Sequence, residues 1–367
     1  MKKIIKLSCL IITSLILTFL LVAGSINVFR YASKNKDDFS YLSNKANKVI
    51  LFIGDGMGVN HIENTELYLD KEMFFMSFEK KGYVNTFSKN TFWPTDSAAA
   101  ATAMATGKKV YNTHVGSSFG KPYTSISEIA KENGLGVGIV TTDTLTGATP
   151  ASFSAHAKKR SNADEIVNSQ LQNNIDLYLG VGQETYVNYE EKFISKGYEF
   201  VTDYKELKLT DSKVLGSFVK VNNYVADENP TLPILVNYTI DYFEANYPDG
   251  YFLMIEGAHI DKSNHSNDIM SMIKYLDEFD NSIKLVYDRL GNNEDVCMIV
   301  TADHESGKLE LANNKEEITN DLYKKTKHTK RDVYYLVHQK GNQEINKMPK
   351  EIDNTDIFTL TRTLLNI

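Results

Sequence analysis

Cysteine is nearly absent from this sequence. Its 367 residues include two cysteines, Cys9 in an N-terminal apolar run and Cys297 in a second apolar stretch. The chain beyond the first run therefore cannot form an internal disulfide, and its stability must come from its core and from any bound metal. Because Cys297 lies between Val296 and Met298, we predict a small core residue rather than a ligand or a nucleophile.

Runs of basic residues are also missing after the first few positions. The 40 Lys and Arg and the 47 Asp and Glu are mixed along the chain, with a formal net charge of −7, which argues against nucleic acid as the main partner. Internal repeats, low-complexity tracts and Pro/Gly-rich linkers are missing as well. A chain of this length with 42% hydrophobic residues can bury one large α/β core or two small ones, and the lack of a linker favours one.

The one long apolar run is N-terminal. Residues 1–25 begin with three lysines, continue with Leu7–Ala23 and end in small residues, a pattern typical of an export signal. An uncleaved N-terminal anchor is the alternative, and it would be the only contact with a membrane. Either way, we predict an extracellular, periplasmic or cell-surface protein, in which residues 26–46 form a polar leader and residues 47–367 a single domain.

Apolar runs typical of buried strands alternate with amphipathic, helix-like segments. The predicted strands are Lys48–Ile53, Gly136–Thr142, Leu177–Val181, Tyr251–Ile255 and Val296–Thr301. The predicted helices are Ser125–Lys131, Ala163–Gln172, Ile234–Ala245, Asp268–Leu290 and Asp356–Leu365. This alternation predicts an α/β fold with a doubly wound, mainly parallel sheet and helices on both faces, in which ligands bind at the carboxyl ends of the strands.

Two regions have weaker patterns. Residues 183–233 are rich in Tyr, Lys and Asn with little periodicity, and we predict that they decorate the periphery of the domain. Residues 305–327 form a charged, helix-tolerant insertion between two of the motifs described below.

The first predicted strand leads into a glycine-rich turn. Residues 54–58 read Gly-Asp-Gly-Met-Gly, so Asp55 lies at the carboxyl end of the strand. Glycine there allows the backbone to approach whatever the carboxylate holds. An Asp in such a turn is also a common turn residue, and the motif alone leaves both interpretations open.

An Asp-Ser pair precedes an alanine-rich segment. Residues 95–103 read Thr-Asp-Ser-Ala-Ala-Ala-Ala-Thr-Ala, which places Ser97 at the N-terminus of a helix. The free N–H groups and the positive end of the helix dipole suit a phosphate that is attached to the serine or leaving it. An ordinary capping serine is the alternative.

The third motif contains an arginine. Residues 146–151 read Thr-Gly-Ala-Thr-Pro-Ala and are followed by His156 and Arg160. The Arg160 guanidinium can donate two hydrogen bonds to phosphate oxygens, which a lysine cannot do. Its neighbours Lys158 and Lys159 are equally typical of a solvated surface.

Acidic and imidazole side chains follow two further strands. Residues 256–265 end a strand with Glu256 and then place an Asp and a His four residues apart, a spacing that lets both face one metal. Residues 301–307 again end a strand with an acid and an imidazole. Two zinc ions need about six protein ligands between them. The candidates are Asp55, Asp261, His265, Asp303, His304 and His328.

Together these motifs resemble those of the alkaline phosphatase family, from about Lys48 to the C-terminal region. The most specific is Thr-Asp-Ser-Ala-Ala at residues 95–99. The resemblance implies an alkaline phosphatase-like catalytic domain, a phosphoric monoester hydrolase that acts on small-molecule phosphate monoesters. It assigns the nucleophile to Ser97, the grip on the phosphate to Arg160 and the orientation of that arginine to Asp96.

The resemblance also implies three metal sites. One zinc ion would be held by Asp261, His265 and His328, a second by Asp55, Asp303 and His304, and a magnesium ion by Asp55, Thr149 and Glu256. The second zinc would lower the pKa of Ser97 and the first would stabilise the leaving oxygen, so that a phosphoserine intermediate forms.

Two departures from the family pattern bear on these expectations. Gly147 stands where relatives usually place an Asp or a His that reaches the magnesium through water, so we expect a weaker third site. The stretch between His304 and His328 is shorter than in many relatives, where it helps to form a dimer contact, and this leaves a homodimer open. For Lys262 we weigh a contact with phosphate through water against a solvated surface position.

The remaining histidines are not predicted to be ligands. His61, His114 and His338 lie in polar or exposed-looking contexts, and His156 and His259 are predicted to be structural.

Two rival functions share parts of this pattern. A phosphodiesterase or sulfatase of the same superfamily would use the same metals with other substrate contacts, whereas Ser97 with Arg160 favours a dianionic monoester. A catalytically silent phosphate-binding protein would keep the scaffold and the metals without turnover.

Overall fold

The computed structural model describes residues 38–90, 92–218 and 230–367, together with positions 14 and 18. Apart from those two positions, the predicted export signal and the leader up to residue 37 lie outside the described residues. Within these ranges, no helix has both the length and the apolar character that a bilayer span requires. The last part of the predicted leader packs into the body, because Phe39, Leu42 and Ala46 are buried in its core.

A ten-stranded sheet forms the centre of the body. The strands are β1 (Lys48–Gly54), β2 (Lys80–Asn85), β5 (Gly136–Thr144), β6 (Leu177–Val181), β7 (Tyr198–Val201), β8 (Lys213–Phe218), β9 (Tyr251–Gly257), β10 (Val296–Thr301), β11 (Val333–Gln339) and β12 (Glu351–Asp353), while β3 (Ser117–Ser118) and β4 (Lys121–Pro122) pair separately. Their order in the sheet is β12-β2-β11-β10-β1-β9-β5-β6-β8-β7. Among the described pairs of this sheet, β11 is antiparallel to both neighbours and all others are parallel, which confirms the predicted mainly parallel arrangement.

Helices cover the sheet. They are α1 (Val59–Leu69), α2 (Ser97–Thr106), α3 (Ile126–Glu132), α4 (Ala148–Ser154), α5 (Ala163–Asn173), α6 (Gln183–Tyr186), α7 (Glu190–Ser195), α8 (Leu232–Asn246), α9 (His259–His265), α10 (Ile269–Leu290) and α11 (Asn354–Leu365). Every residue of β1, β9 and β10 is buried, although successive side chains point to opposite faces. Both faces of the central sheet are therefore covered, as predicted.

All five predicted strands and all five predicted helices are present, with ends that differ by at most two residues. Cys297 is fully buried in β10, as predicted. The region 183–233 is more than decoration, because β8 pairs with β6 and β7 completes that edge of the sheet. Residues 305–327 contain two single 3₁₀ turns, Lys315–Glu317 and Asn320–Leu322, and no α-helix.

The register of the central strands determines where the candidate residues lie. Ile53 pairs with Glu256 of β9 on one side and with Thr301 of β10 on the other, and Thr141 of β5 also pairs with Glu256. The carboxyl ends of β1, β5, β9 and β10 therefore meet at one edge of the sheet, where the predicted carboxylates follow them.

Candidate active site

The turn after β1 brings its backbone close to the ends of two other strands. The Gly56 N–H donates to Asp303 Oδ1 at 3.0 Å. Gly56 has φ +72°, and a Cβ at this position would lie 2.7 Å from Asp261 Oδ1. Glycine is required here for both the backbone conformation and the close approach, and the turn fixes Asp55 beside these two carboxylates.

Ser97 is the first residue of α2. The Asp96 side chain caps this helix by accepting from the Ala99 N–H at 3.0 Å, and Ser97 is buried. The Ser97 hydroxyl lies 3.2 Å from His304 Nε2. The unpaired N–H groups of the first helical turn are thus next to a hydroxyl and an imidazole, in the position predicted from the sequence.

Arg160 reaches this helix end through Asp96. Its Nη1 lies 3.4 Å from Asp96 Oδ2, and the same oxygen accepts from the Thr113 N–H at 2.9 Å. The Arg160 N–H donates to the Thr113 carbonyl at 2.8 Å. Asp96 therefore caps α2 with one oxygen and holds Arg160 with the other, which leaves the guanidinium partly open to solvent.

Asp55, Asp303 and His304 form what we call the inner group. His304 Nε2 lies 3.1 Å from Asp303 Oδ2 and 3.7 Å from Asp55 Oδ1. These two oxygens are buried and make no hydrogen bond to any part of the chain that the structure describes. Three potential ligand atoms thus converge without bonding to one another, as the donors around a cation do.

Asp261, His265 and His328 form the outer group. His265 Nε2 lies 3.2 Å from His328 Nε2 and 3.1 Å from Asp261 Oδ2. Two nitrogen ligands of a tetrahedral zinc ion stand about 3.3 Å apart, given Zn–N bonds of roughly 2.0–2.1 Å. The carbonyls of Thr326 and Thr95 hold the Nδ1 atoms of His265 and His328 at 2.5 and 2.9 Å, respectively, so that both Nε2 atoms are directed to the site.

The two groups adjoin through His304. Its ring stacks on that of His328 with centroids 3.5 Å apart, and the ligand atoms of Asp261, His304 and His328 lie within 4.8 Å of one another. The Ser306 hydroxyl donates to Asp261 Oδ1 and lies 3.3 Å from His304 Nδ1. The structure therefore brings all six predicted zinc ligands into one cluster.

Glu256 and Thr149 are the two residues predicted to hold magnesium together with Asp55. Glu256 is buried and accepts from the Thr141 hydroxyl. The Thr149 hydroxyl, at the start of α4, is buried beside the Glu256 carboxylate. Gly147 has no side chain to offer, and a Cβ there would lie 3.5 Å from Asp143 Oδ2.

Asp143 is the carboxylate nearest to that empty position. It follows the buried part of β5, and its Oδ1 lies 2.5 Å from Lys262 Nζ. This ion pair defines the position of Lys262, whose side chain is partly exposed. Asp143 thus contacts Lys262, the lysine weighed above as a phosphate contact, and lies close to Gly147, the position that departs from the family pattern.

The electrostatics of the inner group are unfavourable without a cation. Burial, together with the charges of Asp303, Asp261 and Glu256, raises the pKa of Asp55 well above its usual range. Burial also raises the pKa of Asp303 to about 6 and that of Glu256 to about 7. Burial lowers the pKa of His304, so its imidazole stays neutral, which is the form that binds metal.

The outer group is already balanced by its own charges. The hydrogen bond from His265 and the nearby histidines outweigh burial and hold the pKa of Asp261 below its usual range. The same hydrogen bond raises the pKa of His265 to about 8. The outer group therefore exists as an ion pair at neutral pH.

These observations fit divalent cations. The unpartnered oxygens Asp55 Oδ1 and Asp303 Oδ2 and the mixture of carboxylate, hydroxyl and imidazole donors are the chemistry that zinc and magnesium sites use. A cation among these carboxylates would also remove the repulsion that raises their pKa values.

Several residues that support the candidate site were not predicted from the sequence. Asp143 follows an apolar strand at the same sheet edge, the signal that identified Asp55 and Asp303, and it was detectable by that rule. Ser306 and Thr113 had no such signal, because a serine in a loop and the backbone of a loop threonine look ordinary in a sequence.

The other histidines have structural partners, although two of them contradict the expected exposure. His61 and His338 are buried, because His61 Nδ1 accepts from the Gly58 N–H in the first turn of α1 and His338 bonds to Glu79 and to the Gly291 carbonyl. The remaining ones are half-buried: His114 bonds to a backbone carbonyl, His156 pairs with Glu128 and His259 contacts the Thr142 hydroxyl.

Comparison with known proteins agrees with this geometry. The family model described as alkaline phosphatase matches residues 46–361. Alkaline phosphatase 3 of Bacillus subtilis (strain 168) is 32% identical over 317 residues, which cover 78% of this chain and 66% of that protein. The alkaline phosphatase of Escherichia coli (strain K12) is 29% identical over 335 residues, covering 72% of this chain and 71% of that one. The chain thus spans slightly under two thirds of the Bacillus relative.

Solved structures share the fold. The alkaline phosphatase from the Antarctic bacterium TAB5 superposes with a TM-score of 0.76 at 26% identity, covering 88% of this chain and 98% of that one. Two variants of the TAB5 protein have been solved with magnesium bound in the M3 site. The alkaline phosphatase of Thermus thermophilus superposes with a TM-score of 0.78 at 21% identity, covering 89% and 92% of the two chains, and this likeness concerns the fold alone.

Proposed function

The chain belongs to the alkaline phosphatase family, and from this membership and the geometry of the site we propose that it hydrolyses phosphate monoesters to an alcohol and inorganic phosphate. One observation carries the proposal. The Ser97 hydroxyl stands at a helix N-terminus, 3.2 Å from His304 Nε2, in a cluster where Asp55 Oδ1 and Asp303 Oδ2 lack hydrogen-bond partners among the described residues. A nucleophile, an anion site and cation ligands thus coincide.

We assign the ligands as the sequence predicted them. The inner group would hold one zinc ion and the outer group a second, and Asp55, Thr149 and Glu256 would hold a magnesium ion. When bound, these cations would supply the positive charge that lowers the pKa of the Ser97 hydroxyl and stabilises the leaving oxygen.

The residues of the chain divide the reaction between them. Ser97 Oγ loses its proton to solvent and attacks phosphorus, the bond from phosphorus to the ester oxygen breaks, and the alcohol leaves after gaining a proton from solvent. Arg160 donates to two non-bridging oxygens while Asp96 fixes its orientation. A water molecule then attacks the phosphoserine, the bond from phosphorus to Ser97 Oγ breaks, and phosphate and the free serine result.

We assign a supporting role at the third cation to Asp143. Gly147 cannot contribute the side chain that relatives usually have at this position, and Asp143 presents a carboxylate 3.5 Å from the place where its Cβ would be. The ion pair with Lys262 fixes that carboxylate. Asp143, at the end of β5, would therefore orient water around the magnesium in place of a side chain at position 147.

We also propose that the body works outside the cytoplasm, as an exported or cell-surface protein. The support is the pattern of residues 1–25, with its basic start and apolar run. We likewise propose a homodimer. The molar mass of the purified chain, measured by light scattering, tests it.

Hydrolysis of a chromogenic phosphate monoester by the purified full-length chain in alkaline buffer tests the function. We expect turnover that disappears on chelation and returns with zinc and magnesium. The Ser97→Ala variant should retain its metals, form no phosphoenzyme and lose on the order of 1,000-fold or more in kcat. Faster cleavage of a matched diester would instead support the phosphodiesterase, and a metal-loaded chain that binds phosphate without turnover would support the silent binder.

A further inference from the structure

Large aromatic side chains are exposed before α2, after α2 and in the turn between β3 and β4. Trp93 is 69% exposed, Phe119 is 77% exposed, and Tyr111 is exposed as well. The Tyr111 and Phe119 rings lie 5.7 Å apart, centroid to centroid. We call Trp93, Tyr111 and Phe119 the aromatic rim. Apolar surface concentrated in this way marks a binding surface rather than chance exposure.

Hydrogen bonds attach the loops of Trp93 and Tyr111 to the phosphate-binding residues. Asn112 Nδ2 donates to the Pro94 carbonyl at 3.0 Å, so the loop of Trp93 and the loop of Tyr111 are joined. The next residue, Thr113, donates its N–H to Asp96 Oδ2 and accepts from the Arg160 N–H. The rim thus belongs to the same framework that positions Arg160.

Chain length limits how far the rim can lie from this framework. An extended residue spans at most about 3.6 Å, so the Trp93 Cα is within about 11 Å of the Asp96 Cα, and the Tyr111 Cα within about 7 Å of the Thr113 Cα. A substrate ring that a short spacer joins to the phosphorus is therefore within reach of the rim. The ribose of a nucleotide is such a spacer.

Two residues of this region hold a backbone conformation that their side chains disfavour. Thr113 has φ +73° and Phe119 has φ +51°, values that β-branched and bulky residues seldom adopt. Strain of this kind persists where the surrounding structure holds it and is concentrated at ligand sites.

Two lysines lie beside the rim, one near Tyr111 and one near the turn of Phe119. Lys89 Nζ lies 5.9 Å from the Tyr111 ring centroid, and Lys158 lies against Gly120, with its Cε 3.0 Å from the place of a Cβ there. A partner that combines flat rings with negative charge matches this surface better than an apolar one does. Resting on the proposed function, we propose that the aromatic rim stacks on the base of a nucleoside phosphate whose terminal phosphate lies at Ser97.

The chain offers a direct readout of this binding, because Trp93 is its only tryptophan. In the full-length Ser97→Ala variant, which keeps the nucleotide intact, adenosine 5′-monophosphate should quench the tryptophan fluorescence in a saturable way. Ribose 5-phosphate has the same sugar and phosphate without the base, and it should leave the fluorescence unchanged while competing for the site.

Kinetics on the active chain supply the second test. Trp93→Ala and Phe119→Ala should each lower kcat/KM for adenosine 5′-monophosphate by about fivefold to a hundredfold, the range of one lost base-stacking contact. The same variants should change kcat/KM for ribose 5-phosphate by less than twofold. Trp93→Phe should retain most of the preference for the base. Ile194→Ala, which removes an exposed apolar side chain on α7, is the control and should change neither value.

Three outcomes would overturn the proposal. Equal losses for both substrates would show that the rim supports the site without selecting the base, and no loss for either would show that the rim is not used. A change from dimer to monomer in Trp93→Ala, with kinetics unaltered, would identify an interface between copies of the chain. Failure of the unmodified chain to hydrolyse ribose 5-phosphate would contradict the proposed function itself, independently of the rim.

Discussion

The inner and outer groups use the same kinds of ligand and are held in different ways. The inner residues Asp303 and His304 directly follow β10 and are fully buried, and the Gly56 and His304 N–H groups both donate to Asp303 Oδ1. The outer residue His265 ends the short helix α9, and its side chain is partly exposed. The sheet therefore sets the inner group, whereas loop carbonyls set the outer one.

The difference extends to charge. The inner group gathers carboxylates whose pKa values are raised by burial and by one another, so it is preformed at a cost to the metal-free fold. The outer group neutralises Asp261 with His265 and is stable without a cation. We infer that the inner group binds its cation more tightly, because cation binding there relieves repulsion as well as forming ligand bonds.

Removal of one ligand from each group gives the largest expected effects. Asp303→Asn should lower kcat/KM for a phosphate monoester on the order of 1,000-fold, with no recovery in excess zinc, because the buried group loses both a ligand and its charge. His265→Gln should lower it roughly 10- to 100-fold and recover substantially with zinc, because the exposed group still binds weakly. Metal content per chain, measured by elemental analysis, follows the same order.

His156→Gln provides the control for that pair of variants, since His156 pairs with Glu128 away from the six ligands. It should retain both metals and activity. Equal losses of metal from Asp303→Asn and His265→Gln would mean that the two groups bind as one unit, and the comparison between them would fail.

The pH dependence of stability separates the groups without any metal. The pKa values of Asp303 and Glu256 are raised to about 6 and 7 from 3.8 and 4.5, so the folded chain binds more protons there than the unfolded chain does. The unfolding free energy of the chelated protein should therefore fall between about pH 4 and pH 7, by on the order of 3 kcal/mol for each of the two groups. Urea unfolding of the unmodified chain and of Asp303→Asn at each pH measures the inner contribution as a difference.

The outer group acts in a higher window. Because the pKa of His265 is raised to about 8 from 6.5, its stabilisation is complete below pH 6.5 and is lost as the pH rises through about 8. His265→Gln should remove this second decline and leave the first unchanged. A single decline, abolished by either variant, would contradict the separate electrostatics of the two groups.

Asp143 tests whether the third cation belongs with the inner group. Asp143→Asn should weaken magnesium binding about tenfold, the usual effect of losing a residue that orients a metal's surroundings, and zinc content should not change. Calorimetric titration of the zinc-loaded chain with magnesium measures the magnesium affinity. Asp288→Asn removes an exposed carboxylate that pairs with Lys284 and should leave both affinities unaltered. Unchanged magnesium affinity in Asp143→Asn would show that Asp143 does not support the magnesium site, which would then consist of Glu256, Thr149 and Asp55 alone.

Much of this arrangement could be predicted from the sequence because the sheet determines it. Apolar runs predicted β1, β9 and β10. Residues that follow parallel strands must meet at one edge of the sheet. Asp55, Glu256 and Asp303 were located by that rule alone. The helix start at Ser97 was equally readable, because a polar pair before an alanine-rich segment is a local signal. The helix cap is Asp96, however, and not Ser97 as the alternative interpretation of the sequence had it.

Other features depend on contacts between distant residues and had no local signal. The strands β7 and β8 are short, mix lysine and tyrosine with apolar residues, and pair at an edge of the sheet, so their periodicity was weak. His61 and His338 look polar in sequence and are buried because each finds hydrogen-bond partners in the fold. The ion pair of Asp143 with Lys262 joins residues over one hundred positions apart.

Ser306 provides the finest test, because it contacts both groups. Its hydroxyl donates to Asp261 Oδ1 of the outer group and lies 3.3 Å from His304 Nδ1 of the inner group. Ser306→Ala should reduce zinc affinity a few-fold, since the hydroxyl orients ligands without binding metal itself. If the outer group depends on such supports and the inner one on the sheet, the loss should appear in the more weakly held zinc alone.

Competition with a zinc chelator resolves the two zinc affinities. Ser282→Ala, which removes a hydroxyl bonded to the Glu278 carbonyl within α10, is the matched control. A loss shared equally by both zinc ions would show that Ser306 couples the groups, and the sheet would then not be sufficient to fix the inner one.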